Sequence, residues 1–314
     1  MDILESTRYV VENADSVSID DRRVRDYADT FARGDGRHWL TAAPFDLARL
    51  SDTDRLAFLF VFNALSFCYW GEPKWTVEHD GKKFDGAWGM IVALGRAAEE
   101  GVPILQADFC RDMSADDFAH ILRANVTIPL FEERLVIVRE LGRVASASYF
   151  PQIVAAGRGE ALTLLDEIVE TLESFRDEAS YKGKRIHFAK RAQVLVSDLH
   201  SLFGGEGYGR LANIDKLTAC ADYKLPQILR KLGVMRYAEP LAEKIDSQVE
   251  IVSGSAEEVE IRACTVHAVE RIRARVVERL PGISSSEIND RLWLFTQEKF
   301  PDDRPYHRTR TTAY

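Results

Sequence analysis

At 314 residues, 46% of them hydrophobic, the chain can bury a full core in one large or two intimate domains, which excludes intrinsic disorder. Its 41 Lys and Arg stand against 50 Asp and Glu, for a net charge of -9 and a pI near 5.4. Proteins that grip duplex phosphates carry a dominant basic surface, so a genomic DNA or RNA partner is disfavoured, whereas a local basic pocket for one phosphate is not.

The N-terminus, Met1-Asp2-Ile3-Leu4-Glu5, lacks the basic start and apolar core of a signal peptide. Ser18-x-x-Asp21 ahead of Val24, Tyr27, Ala28 and Phe31 predicts a helix from its cap and its one-face spacing. Ser51-x-x-Asp54, Ser114-x-x-Asp117, Ser255-x-x-Glu258 and Ser284-x-x-Glu287 mark further helix starts, so the chain reads as mainly α. The longest apolar run, Leu56 to Trp70, is broken by Asn63 and Ser66 and falls short of the ~20 apolar residues a membrane span needs.

From Trp75 to Phe84 residues alternate around Asp80-Gly81, which predicts a two-stranded hairpin near 75–88 that must pack on the helices to be stable. Helical periodicity breaks at Gly157-Arg158-Gly159 and at Tyr181-Lys182-Gly183-Lys184. The expected layout is an N-terminal helical region with the hairpin, residues 1–155, docked on a C-terminal helical region, residues 156–314, that carries the site, the two forming one compact unit with a soft boundary.

Cys68, Cys110, Cys220 and Cys264 are scattered, with no Cys-x-x-Cys pair, and read as reduced core thiols of a cytoplasmic protein. The seven histidines include no His-Glu-x-x-His and no tetrahedral set, so neither a metal nor a cofactor is expected. Gly204-Gly205-Glu206-Gly207-Tyr208-Gly209 lacks the P-loop lysine and follows a helix instead of a strand, so it reads as a turn. The helix from Glu257 to Arg279 holds five glutamates and five arginines and reads as a salt-bridged outer face.

The chemistry-bearing residues cluster between His187 and Tyr237. In a helix expected from Ile186 to Phe203, Phe188, Ala192, Leu195, Leu199 and Leu202 share an apolar face, while Lys190, Arg191, Gln193 and Asp198 lie elsewhere around it. Asp222 stands just before Leu225-Pro226-Gln227, where Pro226 suits the first turn of a helix. A carboxylate there can be a plain N-cap or a catalytic group, and the two are compatible, since the positive helix end and its amide donors favour a fixed negative charge. Such a charge stabilises the oxocarbenium-like transition state of glycoside cleavage or orients the attacking water. One carboxylate at a helix start with a lysine upstream therefore points to an N-glycoside hydrolase, with Asp222 catalytic.

Seven segments in order carry a family resemblance: Phe67-Cys68-Tyr69-Trp70, Gly86-Ala87-Trp88, Glu99-Glu100-Gly101-Val102-Pro103-Ile104, Lys190-Arg191-Ala192-Gln193, Ala221-Asp222-Tyr223-Lys224-Leu225-Pro226-Gln227, Val259-Glu260-Ile261-Arg262-Ala263-Cys264 and Pro305-Tyr306-His307-Arg308-x-Arg310. From about residue 60 to the end, the sequence resembles the queuosine salvage protein family. The resemblance implies a fold similar to helical DNA glycosylases of the helix-hairpin-helix type. It also implies hydrolysis of queuosine 5'-monophosphate, a small-molecule substrate, to release queuine for reinsertion into tRNA, with the active aspartate falling on Asp222. The family places an aromatic residue where this chain has Cys220, and an Asp-Tyr pair where it has Asn289-Asp290 ahead of Leu292-Trp293.

A 7-deazapurine has carbon in place of N7, so the usual protonation of N7 is closed and catalysis must lean on the sugar cation and the base edge. Asn289, Asp290 and Asp198 are candidates for the base edge. Phe67, Tyr69, Trp70 and Trp293 are candidate stacking platforms, each stacked base being worth ~1–3 kcal/mol. Lys190, Arg191, Arg262, His307, Arg308 and Arg310 form the pool for the 5'-phosphate. A free mononucleotide offers no strand to break, so Lys190 is expected to bind phosphate or ribose, with covalent lysine chemistry the lesser reading. Two other classes stay open, a repair-type DNA glycosylase for a damaged purine and a non-catalytic queuine or nucleotide-binding protein.

Overall fold

Four serines cap their helices as their spacing predicts. Ser51, Ser114, Ser255 and Ser284 accept the amides of Asp54, Asp117, Glu258 and Glu287, and Glu287 returns a bond to complete a capping box. A computed structural model describes residues 1–32 and 38–314, and the side chains of all of these except 146–149.

In chain order the elements begin with α1 (Ile3–Glu12), β1 (Val17–Ile19), α2 (Asp21–Thr30), α3 (Asp52–Leu65), β2 (Thr76–His79), β3 (Lys82–Asp85) and α4 (Gly86–Glu99). The middle of the chain adds α5 (Ala107–Asp112), α6 (Ala115–Ile121), α7 (Phe131–Ala156), α8 (Ala161–Thr171), β4 (Glu178–Tyr181), β5 (Lys184–His187) and α9 (Lys190–Leu202). The last third holds α10 (Lys224–Lys231), β6 (Met235–Tyr237), α11 (Glu239–Asp246), α12 (Ala256–Val276) and α13 (Ser285–Phe295).

The protein is therefore mainly helical, with small antiparallel two-stranded sheets β1–β6, β2–β3 and β4–β5. The expected hairpin is β2–β3, turning on Asp80 and Gly81, whose φ values of 49° and 72° suit a tight turn of the twist that strands favour.

Three expectations change. The cap of α2 is Asp20, whose carboxylate accepts the amides of Arg22 and Arg23, while Ser18 lies in β1. The break at 181–184 is a second hairpin turn, with Lys182 and Gly183 at φ 46° and 82°. Ile186 and His187 consequently belong to β5, and the helix expected from Ile186 starts at Lys190. Finally, α12 is not wholly an outer face. Glu258, Glu260 and Arg262 are buried in its first half, whereas surface ion pairs occur at Glu257, with Lys244, and at Arg271, with Asp21.

The apolar run becomes α3, which is buried on every side from Leu56 to Leu65. Among the described residues no helix is long and apolar enough to cross a membrane. One hydrophobic core gathers α3, α4, α7, α8 and α9 and so runs across residue 155; a second gathers α2, α10, α12 and α13. Trp293 packs against both, and beside it, where α9, α10 and α13 meet α3, a cleft opens.

Candidate active site

The segment leading into α10 is pinned residue by residue. Gln193 on α9 exchanges hydrogen bonds with Thr218, accepting its amide at 2.8 Å and donating to its hydroxyl at 3.0 Å. Asn289 on α13 accepts the Cys220 amide at 2.9 Å, and Arg262 on α12 donates from Nε to the Ala221 carbonyl at 3.2 Å. Three helices thus fix the backbone up to Asp222.

The Asp222 carboxylate then caps α10. Its Oδ1 accepts the amides of Lys224 at 2.7 Å and Leu225 at 3.0 Å. The side chain is only 8% exposed, and what is open faces the cleft. Among the described residues both of these bonds fall on Oδ1, which leaves Oδ2 for the cleft.

The cleft holds about 950 Å3 of empty space, its open mouth included. Trp39, Phe62 and Trp293 line one side, with ring centroids 5.8 Å apart for Trp39 and Phe62 and 5.3 Å apart for Trp39 and Trp293. Lys74, Lys190 and Lys224 supply its positive charge. Lys74 meets Asp85 across the open end of the β2–β3 hairpin at 2.5 Å, and the Lys224 ammonium lies 5.0 Å from the Tyr306 ring. Burial lowers the pKa of Lys224, and the nearby Lys74 charge lowers it further.

Acidic groups gather beside the aromatic side. Asp290 lines the cleft and accepts the Trp39 amide at 3.3 Å and the Asn289 amide group at 3.2 Å. Behind it Asp198 accepts the Trp39 indole N–H at 2.9 Å and the Asn63 amide at 2.8 Å. Burial pushes Asp198 up to about 8 and Asp290 up to about 7, against hydrogen bonds that favour the charged forms. Burial also pushes the Cys220 thiol up to about 12, so it is a neutral lining group.

Of the residues singled out from sequence, Phe67, Tyr69, Trp70, Lys190, Cys220, Asp222, Asn289, Asp290 and Trp293 meet around this cleft. Others do not line it. Arg191 is buried against the carbonyls of Ala64 and Ser174, its guanidinium near the rings of Phe67 and Phe175. Arg262 forks onto Asp177 at 2.8 and 2.6 Å, and His307 pairs with the Tyr314 hydroxyl at 3.1 Å. Arg308 and Arg310 pair with Glu72 and Glu250. Among the described residues no arginine lines the cleft.

Sequence reasoning overlooked Trp39, Lys74, Asp85, Lys224, Tyr306 and Tyr314 as cleft residues. Lys224 and Tyr306 lay inside segments already singled out, and Lys74 and Asp85 flank the legible hairpin. Trp39 arrives from a distant turn and carries no local signal.

A sequence model of the family described as Queuosine salvage protein matches residues 48–314. Over 318 residues the chain is 39% identical to the Queuosine 5'-phosphate N-glycosylase/hydrolase of Sphaerobacter thermophilus, covering 99% of this chain and 97% of that protein. It is 35% identical over 332 residues to the protein of the same name from Mus musculus, with 99% and 98% covered. The one from Schizosaccharomyces pombe is 29% identical over 269 residues, with 79% and 76% covered. With most of its length matched by the family and nearly all of it aligned to such relatives, the chain belongs to the queuosine salvage protein family.

Proposed function

We propose that the chain hydrolyses the N-glycosidic bond of queuosine 5'-phosphate, releasing queuine and ribose 5-phosphate. The observation that carries this reading is a carboxylate with one oxygen tied to a helix start and the other left to a cleft whose sides are aromatic and cationic. Positive charge develops at C1' as the bond to N9 breaks, and Asp222 Oδ2 stabilises it or orients the incoming water.

The base stacks on the side formed by Trp39, Phe62 and Trp293, with Asn289 and Asp290 at its edge. Lys74, Lys190 and Lys224 take the phosphate and ribose. Three separate ammonium groups suit one phosphate rather than a duplex backbone, in keeping with the net charge of -9. The free thiols support work in the reducing cytoplasm.

The test is to incubate the protein with queuosine 5'-phosphate, with queuosine and with lesion-bearing duplex DNA, and to follow free base by chromatography. Release is expected from the nucleotide, slower release from the nucleoside and none from DNA. Base release from the duplex alone would overturn the reading in favour of a repair glycosylase. Binding of queuine without turnover of any substrate would favour a carrier.

A further inference from the structure

Asp222 serves only the sugar half of the reaction. The departing 7-deazapurine must still gain a proton if it is to leave as a neutral molecule, and carbon at position 7 removes the usual site. We infer that Asp290 is the acid that protonates the departing base and that it regains its proton from a second cavity behind the active-site cleft. The inference rests on the hydrolase reading above.

Asp290 belongs to two walls at once. It lines the active-site cleft and also a second cavity of about 1080 Å3, mouth included, that is bordered by His38, Ser197, His200 and Ser286. His38 stands between the carboxyls, its Nε2 3.6 Å from Asp290 Oδ2, 3.6 Å from Asp198 Oδ1 and 3.2 Å from Ser197 Oγ. The Leu40 amide donates to Nδ1 at 3.3 Å, which makes Nδ1 an acceptor and puts the hydrogen of the neutral ring on Nε2.

Burial pulls His38 down to about 4, so no imidazolium stands beside the carboxyls to draw off their protons. Among the described residues, the charged and titratable groups that act on Asp290 or line its two cavities include Asp198, Lys190 and His200 from α9, Glu287 and Arg291 from its own helix, Asp215, and Cys220 and Asp222 from the segment before α10. Raised to about 7, Asp290 still carries its proton in a large share of molecules at neutral pH, where an exposed aspartate has lost it.

The step balances. As the C1'–N9 bond breaks, its electron pair goes to the base, and the Asp290 proton passes to a ring nitrogen of the base. Water adds to C1' and gives its proton to the Asp222 carboxylate. Asp222 returns that proton to solvent, and Asp290 takes one through the second cavity while the base still fills the cleft. One water is thereby divided between the sugar and the base.

The test uses two substrates of unequal need. Queuosine 5'-phosphate requires protonation of its leaving group; 4-nitrophenyl ribofuranoside 5-phosphate does not, because nitrophenolate leaves as an anion. Asp290→Asn keeps the shape of the side chain and is expected to lower kcat on the nucleotide by ~10²–10⁴-fold, with at most a few-fold loss on the nitrophenyl compound. For the unsubstituted protein, kcat on the nucleotide should fall above pH about 7, with no such limb on the nitrophenyl compound.

Equal losses on both substrates, or an Asp290→Asn protein as active on the nucleotide as the parent, would overturn the inference. If circular dichroism shows Asp290→Asn to be unfolded, the two pH profiles of the unsubstituted protein decide, and identical limbs overturn it. Failure of the unsubstituted protein on both substrates would sink the hydrolase reading itself, and this inference with it.

Discussion

At Asp222, the cap and the proposed chemistry use different oxygens, and that separation makes them experimentally divisible. Asparagine is as good an N-cap as aspartate, so Asp222→Asn preserves the bonds to the Lys224 and Leu225 amides while removing the charge. The expected result is a loss of ~10²–10³-fold in kcat with a melting temperature close to the parent's. Asp222→Ala should add a stability loss of ~1 kcal/mol, and equal kcat for Asp222→Asn and the parent would leave Asp222 as a cap alone. The phosphate pool illustrates why charge is legible in a sequence and its use is not. Arg191, Arg262, Arg308 and Arg310 all looked available, yet their donors go to carbonyls or carboxylates elsewhere. Lys224 lines the cleft at the start of α10, beside the Tyr306 ring. Lys224→Ala should therefore raise KM for the nucleotide ~10–100-fold, the worth of one charge-assisted hydrogen bond, and leave KM for the nucleoside nearly unchanged. Steady-state kinetics on the two substrates check this, and parallel changes in both would move the phosphate away from Lys224.

Between elements, one guanidinium ties three helices together. Arg262 on α12 holds Asp177 with both terminal nitrogens and the Ala221 carbonyl with Nε; Asp177 in turn accepts the Lys190 amide at 3.0 Å, at the first residue of α9. The relative position of Lys190 and Asp222 thus depends on a buried pair. Breaking one side of such a pair leaves an uncompensated carboxylate, so Arg262→Met should cost ~3–5 kcal/mol in urea unfolding. Adding Asp177→Asn should recover part of that loss, and a double variant no more stable than the single one would argue against the coupling. The sequence offered Arg262 as a phosphate donor on a charged helix and not as a buried tie, because periodicity reports the face of a helix and not what later packs over it. The same limit explains the other misreadings. Four of the five serine caps and the Asp80-Gly81 turn are decided within a few residues and were legible. The β1–β6 pairing joins Val17 to Tyr237 and has no local signature. The Lys182-Gly183 turn is local, yet its flanking residues fit a helix as well as a strand, so the start of α9 was placed four residues early.

Across the whole molecule, titratable groups shifted by burial give stability an unusual dependence on pH. His38, His267 and His307 are pulled down to about 4, about 4 and about 3 by burial, so they stay neutral in the folded protein where the unfolded chain protonates them. From about pH 4 to 6.5 they make stability rise with pH, because the unfolded state binds the extra protons. Asp198 and Asp290 act in the opposite sense. Their folded values of about 8 and about 7 exceed 3.8, so the stability they contribute is complete below about pH 3.8 and is lost as pH rises through 7 to 8. Above pH 6.5 the histidine contribution is fully in place; the carboxyls change up to about pH 8, and beyond that the thiols of Cys110, Cys220 and Cys264, pushed up to about 12 by burial, also lower stability as the unfolded chain ionises. Urea unfolding between pH 6.5 and 8 should therefore show declining stability, with a slope approaching ~1.4 kcal/mol per pH unit for each proton a carboxyl still holds in the folded protein. Asp198→Asn removes one of those protons, and its alkaline slope should be shallower than the parent's. An unchanged slope in that variant would mean that Asp198 does not hold a proton in the folded protein, and that Asp290 has a charged neighbour rather than a neutral one.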